Sequence, residues 1–175
     1  MQRVLISLFT ISLFLSPVVN GQQSGSTSHV LEHASANTQD ADEIRNLMNT
    51  FHHAVVAHDG ERVASLFVQE GSTWFNVLSD SAFAAMRAKN PTVAKVRHSS
   101  FAEFSNFVSS SKSSLDPQHT NLQILSDGTI ASVYFDFVFV IDGKSQNRGS
   151  ETWQLVKASD GWRIAAITYS SNPML

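Results

Sequence analysis

Three Asp-Gly pairs in the last third of the chain constrain the fold more than any other feature of the sequence. They occur at residues 127–128, 142–143 and 160–161, and they separate four runs rich in β-branched and aromatic residues, at 119–125, 130–141, 151–156 and 162–169. An Asp-Gly pair between two apolar runs is a strong hairpin signal, because both residues tolerate a positive φ angle. Four strands joined by three such turns predict an antiparallel meander.

The residues that precede the meander have the periodicity of helices. Over 40–58, apolar side chains recur three and four positions apart, which predicts an amphipathic helix with Asp40 as its N-cap. Further helices are predicted after Asp59, over 81–89 and after Ser100, and residues 72–77 are predicted to form a strand. Helices followed by a meander predict an α+β domain in which a curved antiparallel sheet wraps around the N-terminal helices.

The first 39 residues are predicted to lie outside this domain. Arg3, an apolar run over 4–15 and Pro17 have the layout of a secretory signal peptide, residues 1–21. The alternative is a membrane anchor, but the run is shorter than the roughly 20 residues that a bilayer span needs. Residues 22–39 are rich in Ser, Gln, Thr and Asn and predict a disordered linker, so the domain is assigned to 40–171. We therefore expect a secreted or periplasmic protein.

Composition argues against several classes of function. The formal net charge of −3 gives no electrostatic reason to expect nucleic acid as a partner. The chain has no cysteine and no His-Glu-x-x-His motif, so neither a metal site nor a cofactor is predicted. No membrane partner is expected once the leader has been cleaved. A small-molecule ligand remains as the expected partner, and a homodimer is an open alternative.

Two stretches of the chain resemble a known family. Residues 51–67, from Phe51-His52-His53-Ala54 to Leu66-Phe67, and the Ser-Thr-Trp that follows at 72–74 resemble the opening of SnoaL-like members of the nuclear transport factor 2-like superfamily. Residues 148–164 resemble the last two strands of that family. The resemblance covers about residues 40–171. It implies a cone-shaped fold with an open-ended apolar pocket, and it implies dimers formed through the outer face of the sheet.

Strand alternation predicts which side chains face that pocket. Over 130–141, the Phe-rich side should pack against the helices, and Tyr134 and Asp136 should point to the outer face. Aromatic side chains supply large apolar area and a shaped wall, and the alternative for Trp74 and its neighbour Phe75, which the prediction favours, is a simple core position. The expected ligand-binding residues are Phe51, Trp74, Phe135, Phe137, Phe139 and Trp153.

Three residues are candidates for proton transfer, each with an alternative. Glu151 shares its side of the strand with Trp153, and a carboxyl among aromatic rings would have a raised pKa; the alternative is a solvated carboxylate near the start of the strand. Asp136 is interpreted as an outer-face residue that meets water or a dimer partner. His52 borders the apolar face of the first helix, where it acts as a pH-sensitive group or simply makes a hydrogen bond.

Positive charge is concentrated in the middle of the chain. If this segment covered the mouth of the pocket it would attract an anionic ligand, and the alternative is a solvated surface. The residues are Arg87, Lys89, Lys95, Arg97 and His98.

Three functions stay open at this point. The leading hypothesis is an exported protein that holds a small, largely apolar molecule. The second is an enzyme of the proton-transfer kind, such as an isomerase, a dehydratase or an epoxide hydrolase, which uses a pocket carboxylate. The third is an interaction module that acts as a dimer through the face that carries Tyr134 and Asp136.

Overall fold

A computed structural model describes residues 36–174. The predicted signal peptide and residues 22–35 of the predicted linker lie outside the described residues. The first half carries four helices and two short strands, and the second half carries four long strands. The elements are α1 (Thr38–Val56), α2 (Gly60–Ser65), β1 (Thr73–Leu78), α3 (Asp80–Lys89), β2 (Val96–Ser99), α4 (Phe101–Ser110), β3 (Leu115–Ser126), β4 (Ile130–Ile141), β5 (Lys144–Ala158) and β6 (Gly161–Pro173).

The six strands form one sheet in the order β2-β1-β6-β5-β4-β3. The predicted meander is confirmed, since β3 to β6 pair in sequence order and every one of these pairs is antiparallel. At the β4–β5 turn, Asp142 and Gly143 have φ angles of 49° and 73°, which is the backbone that a tight two-residue hairpin requires. Strand β1 pairs parallel with β6 and departs from the predicted antiparallel pattern. Alternation within a strand does not encode the strand's direction.

The start of α1 corrects one sequence prediction. The N-cap is Asn37, whose side chain accepts a hydrogen bond from the Asp40 backbone N–H at 2.9 Å, so the N-cap lies three residues earlier than predicted. Asp40 is instead buried, with 3% exposure, and its carboxylate accepts a hydrogen bond from Lys157 Nζ at 2.9 Å. A buried carboxylate needs such a partner, so this pair ties α1 to β5. The predicted caps of α2 and α4, Asp59 and Ser100, are confirmed.

The core lies between α1 and the inner face of the sheet. From α1, Ile44, Phe51 and Val55 are buried, and they meet buried residues of the four long strands. Alternation in β4 follows the prediction: Phe135 is fully buried, whereas its neighbour Tyr134 is 43% exposed. Burying a side chain of this size stabilises the fold by roughly 1.5–3 kcal/mol. Phe139, near the end of β4, is only partly buried, because the space beside it is open.

Candidate functional site

A cavity of about 320 Å³ lies between helices α1 and α4 and the inner face of the sheet. Every strand of the sheet contributes to its wall. Seven aromatic side chains and six other residues line it: Phe51, Trp74, Phe104, Phe107, Phe137, Phe139 and Tyr169, with Ser99, Glu103, Pro117, His119, Asn147 and Glu151. A concave, mostly apolar space with a few polar groups is the usual form of a site for a small molecule.

Stacked rings hold the aromatic wall in place. Phe104 stacks on Phe51 with ring centroids 5.8 Å apart and planes inclined by 4°. The same ring lies 5.1 Å from Trp74 and 6.1 Å from Phe107. Aromatic pairs at these separations attract each other beyond the apolar area that they bury. The wall is therefore already ordered before any ligand enters.

The predicted aromatic residues divide into two groups. Phe51, Trp74, Phe137 and Phe139 line the cavity. Phe135 and Trp153 are fully buried and lie behind the wall; the Trp153 ring is 5.1 Å from Phe51 and 5.5 Å from Phe135. This second pair supports the wall without reaching the open space.

The sequence prediction omitted three of the aromatic lining residues. Phe104 and Phe107 lie on α4, and the helix predicted after Ser100 does not by itself say which of its faces meets the sheet. Tyr169 was placed at the end of the last predicted strand. In the structure β6 continues to Pro173, and Tyr169 points inward beside Glu151, its partner in the register of β5 and β6.

Glu151 is the principal ionisable group of the cavity. It projects from the middle of β5, and Trp153 Nε1–H donates a hydrogen bond to its Oε1 at 2.5 Å. Burial among aromatic side chains raises the pKa of Glu151 to about 7, and the Trp153 hydrogen bond opposes this rise only in part. Near neutral pH the carboxyl is therefore divided between its protonated and ionised forms, and it can accept or release a proton.

His119 is a cavity residue that the sequence prediction missed. Its ring lies 4.6 Å from Phe135, and burial lowers the pKa of His119 to about 4, helped by repulsion from His52 and opposed by Asp116. The imidazole is thus neutral at neutral pH. The predicted strand began at residue 119, whereas β3 begins at Leu115, so the inward alternation that ends at His119 was not visible.

Tyr169 provides a hydroxyl group beside Glu151. Its Oη accepts a hydrogen bond from Asn76 Nδ2 at 2.8 Å, which leaves the phenolic hydrogen available. Burial raises the pKa of Tyr169, and the nearby Glu151 carboxyl adds to this rise, so the hydroxyl stays protonated. Asn76 Oδ1 is buried and has no hydrogen-bond partner within residues 36–174.

The other two candidates for proton transfer lie outside the cavity. Asp136 is on the outer face, where Asn121 Nδ2 and Ser150 Oγ each donate to its carboxylate at 2.8 Å, and these hydrogen bonds lower its pKa. His52 lies on the border of α1, with Nδ1 at 2.9 Å from the Pro117 carbonyl oxygen. It lines a shallower groove between α1 and β3, next to the cavity wall.

The basic residues of the middle segment do not line the cavity either. All five are exposed, and Lys95 forms an ion pair with Asp80. Arg97 is close enough to Tyr169 to act on its pKa. Across the described part of the chain, no cluster of three or more metal-ligating side chains is present, and no helix is long and apolar enough to span a bilayer.

Comparison with solved structures identifies the fold. No protein-family model and no curated protein matches the sequence. A proposed aromatic ring hydroxylase from Novosphingobium aromaticivorans is 18% identical and has a TM-score of 0.57, over 78% of this chain and 92% of that one. A nuclear transport factor 2-like protein of unknown function from Shewanella baltica is 15% identical with a TM-score of 0.55, over 79% and 98% of the two chains.

A protein of unknown function from Nostoc punctiforme, which has a cystatin-like fold, gives a TM-score of 0.57 at 13% identity, over 81% of this chain and 97% of that one. These similarities place the domain among α+β proteins with a helix-filled, curved sheet. The chain has the nuclear transport factor 2-like fold of the cystatin-like type, as the sequence resemblance implied.

Proposed function

We propose that this chain is an exported protein that binds a small, largely apolar molecule in the cavity. The observation that carries the proposal is an open space walled by seven aromatic rings, with one partly buried ionisable carboxyl, Glu151, on its surface. The rings supply affinity through apolar contact, and Glu151 fixes the orientation of a polar group on the ligand. A volume of about 320 Å³ suits a molecule with one or two rings.

Two physical terms favour such binding. Apolar surface removed from water contributes roughly 25 cal/mol per Å². The contacts of Phe104 with Phe51, on which it stacks, and with Trp74, which is tilted against it, also reduce the conformational entropy that would be lost on binding, because these rings already restrain one another.

Fluorescence titration with a panel of single-ring compounds tests the proposal. Trp74 lines the cavity, so occupancy should change its emission in a saturable manner. Phe107→Ala removes a lining ring and should weaken binding, whereas Tyr134→Ala on the outer face is the matched control and should not. If no compound gave saturable binding, or if both variants weakened it equally, the proposal would be wrong.

Proton transfer by Glu151 is the second candidate function. The observation that favours it is the pKa of about 7, which lets a carboxyl act as a base at neutral pH, beside the neutral His119 on the same cavity wall. Within residues 36–174 these two side chains form no hydrogen bond with each other, so any cooperation would have to occur through a bound substrate.

Incubation with small ketones in D₂O, followed by NMR, should show exchange of protons next to the carbonyl, and Glu151→Gln should abolish it. Exchange at the rate of the uncatalysed reaction would eliminate this candidate.

Export and dimer formation are tested separately. Expression of the full chain should yield an extracytoplasmic protein whose mass corresponds to cleavage after Gly21. Retention of the intact chain in the cytoplasm would contradict export.

Light scattering on the purified protein distinguishes a monomer from a homodimer, and a strict monomer would exclude a dimeric interaction module.

A further inference from the structure

We propose that the cavity selects a cation: a protonated amine or a quaternary ammonium group carried on a small apolar body. This inference rests on the proposed binding function and specifies the chemistry of the ligand. It follows from three features of the wall, namely its charges, its aromatic rings and the unpaired oxygen of Glu151.

The charged residues of the wall are all acidic. Glu151 lies inside the cavity, and Glu103, in the first turn of α4, also lines it. No lysine or arginine is among the lining residues. Of the other two titratable groups, His119 has a lowered pKa and Tyr169 a raised one, so both are neutral between pH 6 and 8. The wall is thus negative or neutral and never positive over this range.

The rings add a second attraction for the same class of ligand. The face of an aromatic ring carries partial negative charge, and a cation within about 6 Å of its centre is attracted, most strongly where water is excluded. Seven such rings, from five elements of the fold, line the cavity. An anion over a ring face would be repelled, and an uncharged group would gain only apolar contact.

Glu151 has an unused acceptor. Its Oε1 accepts the hydrogen bond from Trp153, and Oε2 has no partner in the described part of the chain. An ionised carboxylate in an apolar cavity is costly unless an opposite charge accompanies it. No basic side chain of the wall supplies that charge, so a cationic ligand would fill the role.

The groups around Glu151 do not reverse this argument. His119 from β3, Tyr169 from β6 and Glu103 from α4 share its cavity, and α1 contributes only Phe51. Arg97 on β2 acts on Tyr169 but is exposed and does not line the space. Behind His119, on the groove side, His52 and Asp116 lie 3.9 Å apart.

Three probes of similar shape distinguish the classes of ligand. Phenyltrimethylammonium is a cation, tert-butylbenzene is its uncharged isostere, and benzoate is an anion. In calorimetric titrations at pH 8, phenyltrimethylammonium should bind at least about tenfold more tightly than tert-butylbenzene, and benzoate should bind most weakly. The titrations use the protein purified after expression of the full chain.

The pH dependence gives a second readout. Ionised Glu151 attracts the cation more strongly than protonated Glu151 does, and the pKa of Glu151 is about 7, so phenyltrimethylammonium affinity should rise by up to about tenfold from pH 6 to pH 8. Proton release should accompany binding at pH 6.5. Glu151→Gln should remove the pH dependence and most of the preference for the cation while keeping the affinity for tert-butylbenzene. Asp136→Asn on the outer face is the matched control and should behave like the wild type.

Every outcome decides between the two proposals. If tert-butylbenzene bound as tightly as the cation, or if benzoate bound most tightly, the cation inference would fall and the cavity would remain a binding site. Preference for the cation that survived Glu151→Gln unchanged would also overturn the assigned role of Glu151. If none of the three probes bound, the proposed binding function would fall together with the inference.

Discussion

The two faces of the sheet give opposite properties to two carboxyl groups only one strand apart. Glu151 lies on the inner face of β5, where burial raises its pKa to about 7. Asp136 lies on the outer face of β4 and pairs in register with Ser150, the neighbour of Glu151. Its two donors lower its pKa. The difference shows that strand parity, which selects the face, decides whether a carboxylate of this sheet is stabilised in its charged form or destabilised.

The largest expected contrast between the faces concerns packing. Phe135→Ala should reduce the free energy of unfolding by about 3–5 kcal/mol, because a fully buried ring leaves a cavity behind. Tyr134→Ala, one residue earlier and 43% exposed, should change it by about 0.5 kcal/mol or less. Urea denaturation measures both. Similar losses would mean that β4 does not separate the core from solvent.

Replacing Glu151 should stabilise the domain at high pH. The folded pKa of about 7 lies above the ordinary value of 4.5, so the folded state holds the proton more tightly and loses stability as pH rises from about 4.5 to 7. Glu151→Gln should therefore raise the free energy of unfolding at pH 8 by on the order of 3 kcal/mol and leave it nearly unchanged at pH 4. Denaturation at the two pH values tests this, and an equal effect at both would contradict it.

His119 should show the opposite pH dependence. Its folded pKa of about 4 lies below 6.5, so the unfolded chain binds the proton more tightly and stability falls as pH drops from about 6.5 to 4. In the wild type this slope largely cancels that of Glu151 between about pH 4.5 and 6.5. In the His119→Asn variant only the contribution of Glu151 to the pH dependence should remain, so the free energy of unfolding should fall steadily as pH rises from about 4.5 to 7. A flat profile in this variant would show that the two groups do not oppose each other.

The smallest expected effect belongs to the outer face. The folded pKa of Asp136 is lowered, so its stabilising contribution is present above the ordinary value of 3.8 and is lost as pH falls through the folded pKa. Asp136→Asn should reduce stability slightly and equally at pH 6 and pH 8. The matched variant at the donor, Ser150→Ala, should have a loss of the same sign. A gain in stability on replacing Asp136 would remove the contrast with Glu151.

The fold was largely predictable because its signals are local. The Asp-Gly pairs, Asp59 and Ser100 as caps, and alternation in β4 each act within a few residues, and each was confirmed. The parallel pairing of β1 with β6 was not predicted, because it joins distant segments and depends on how the whole sheet closes. Asp40 was misassigned as the cap because its true partner, Lys157, is more than a hundred residues away.

The residues of the site that lie well inside a predicted strand could be assigned to a face of the sheet from the sequence. Alternation placed Glu151 with Trp153 and put Asp136 on the other face. Alternation did not assign His119 and Tyr169 to the inner face, because His119 is the first residue of one predicted strand and Tyr169 the last residue of another. In the structure β3 begins four residues before His119 and β6 ends four residues after Tyr169. Alternation also does not distinguish a wall residue from one behind the wall, which is why Phe135 and Trp153 were grouped with the lining rings.

The most direct measurement is an NMR titration of the side-chain carboxyl carbons, with Glu151 and Asp136 assigned through Glu151→Gln and Asp136→Asn. The account predicts a midpoint near pH 7 for Glu151 and one below 3.8 for Asp136. A Glu151 midpoint near its ordinary value of 4.5 would contradict it, because the carboxyl would then be in contact with water rather than buried among the aromatic rings.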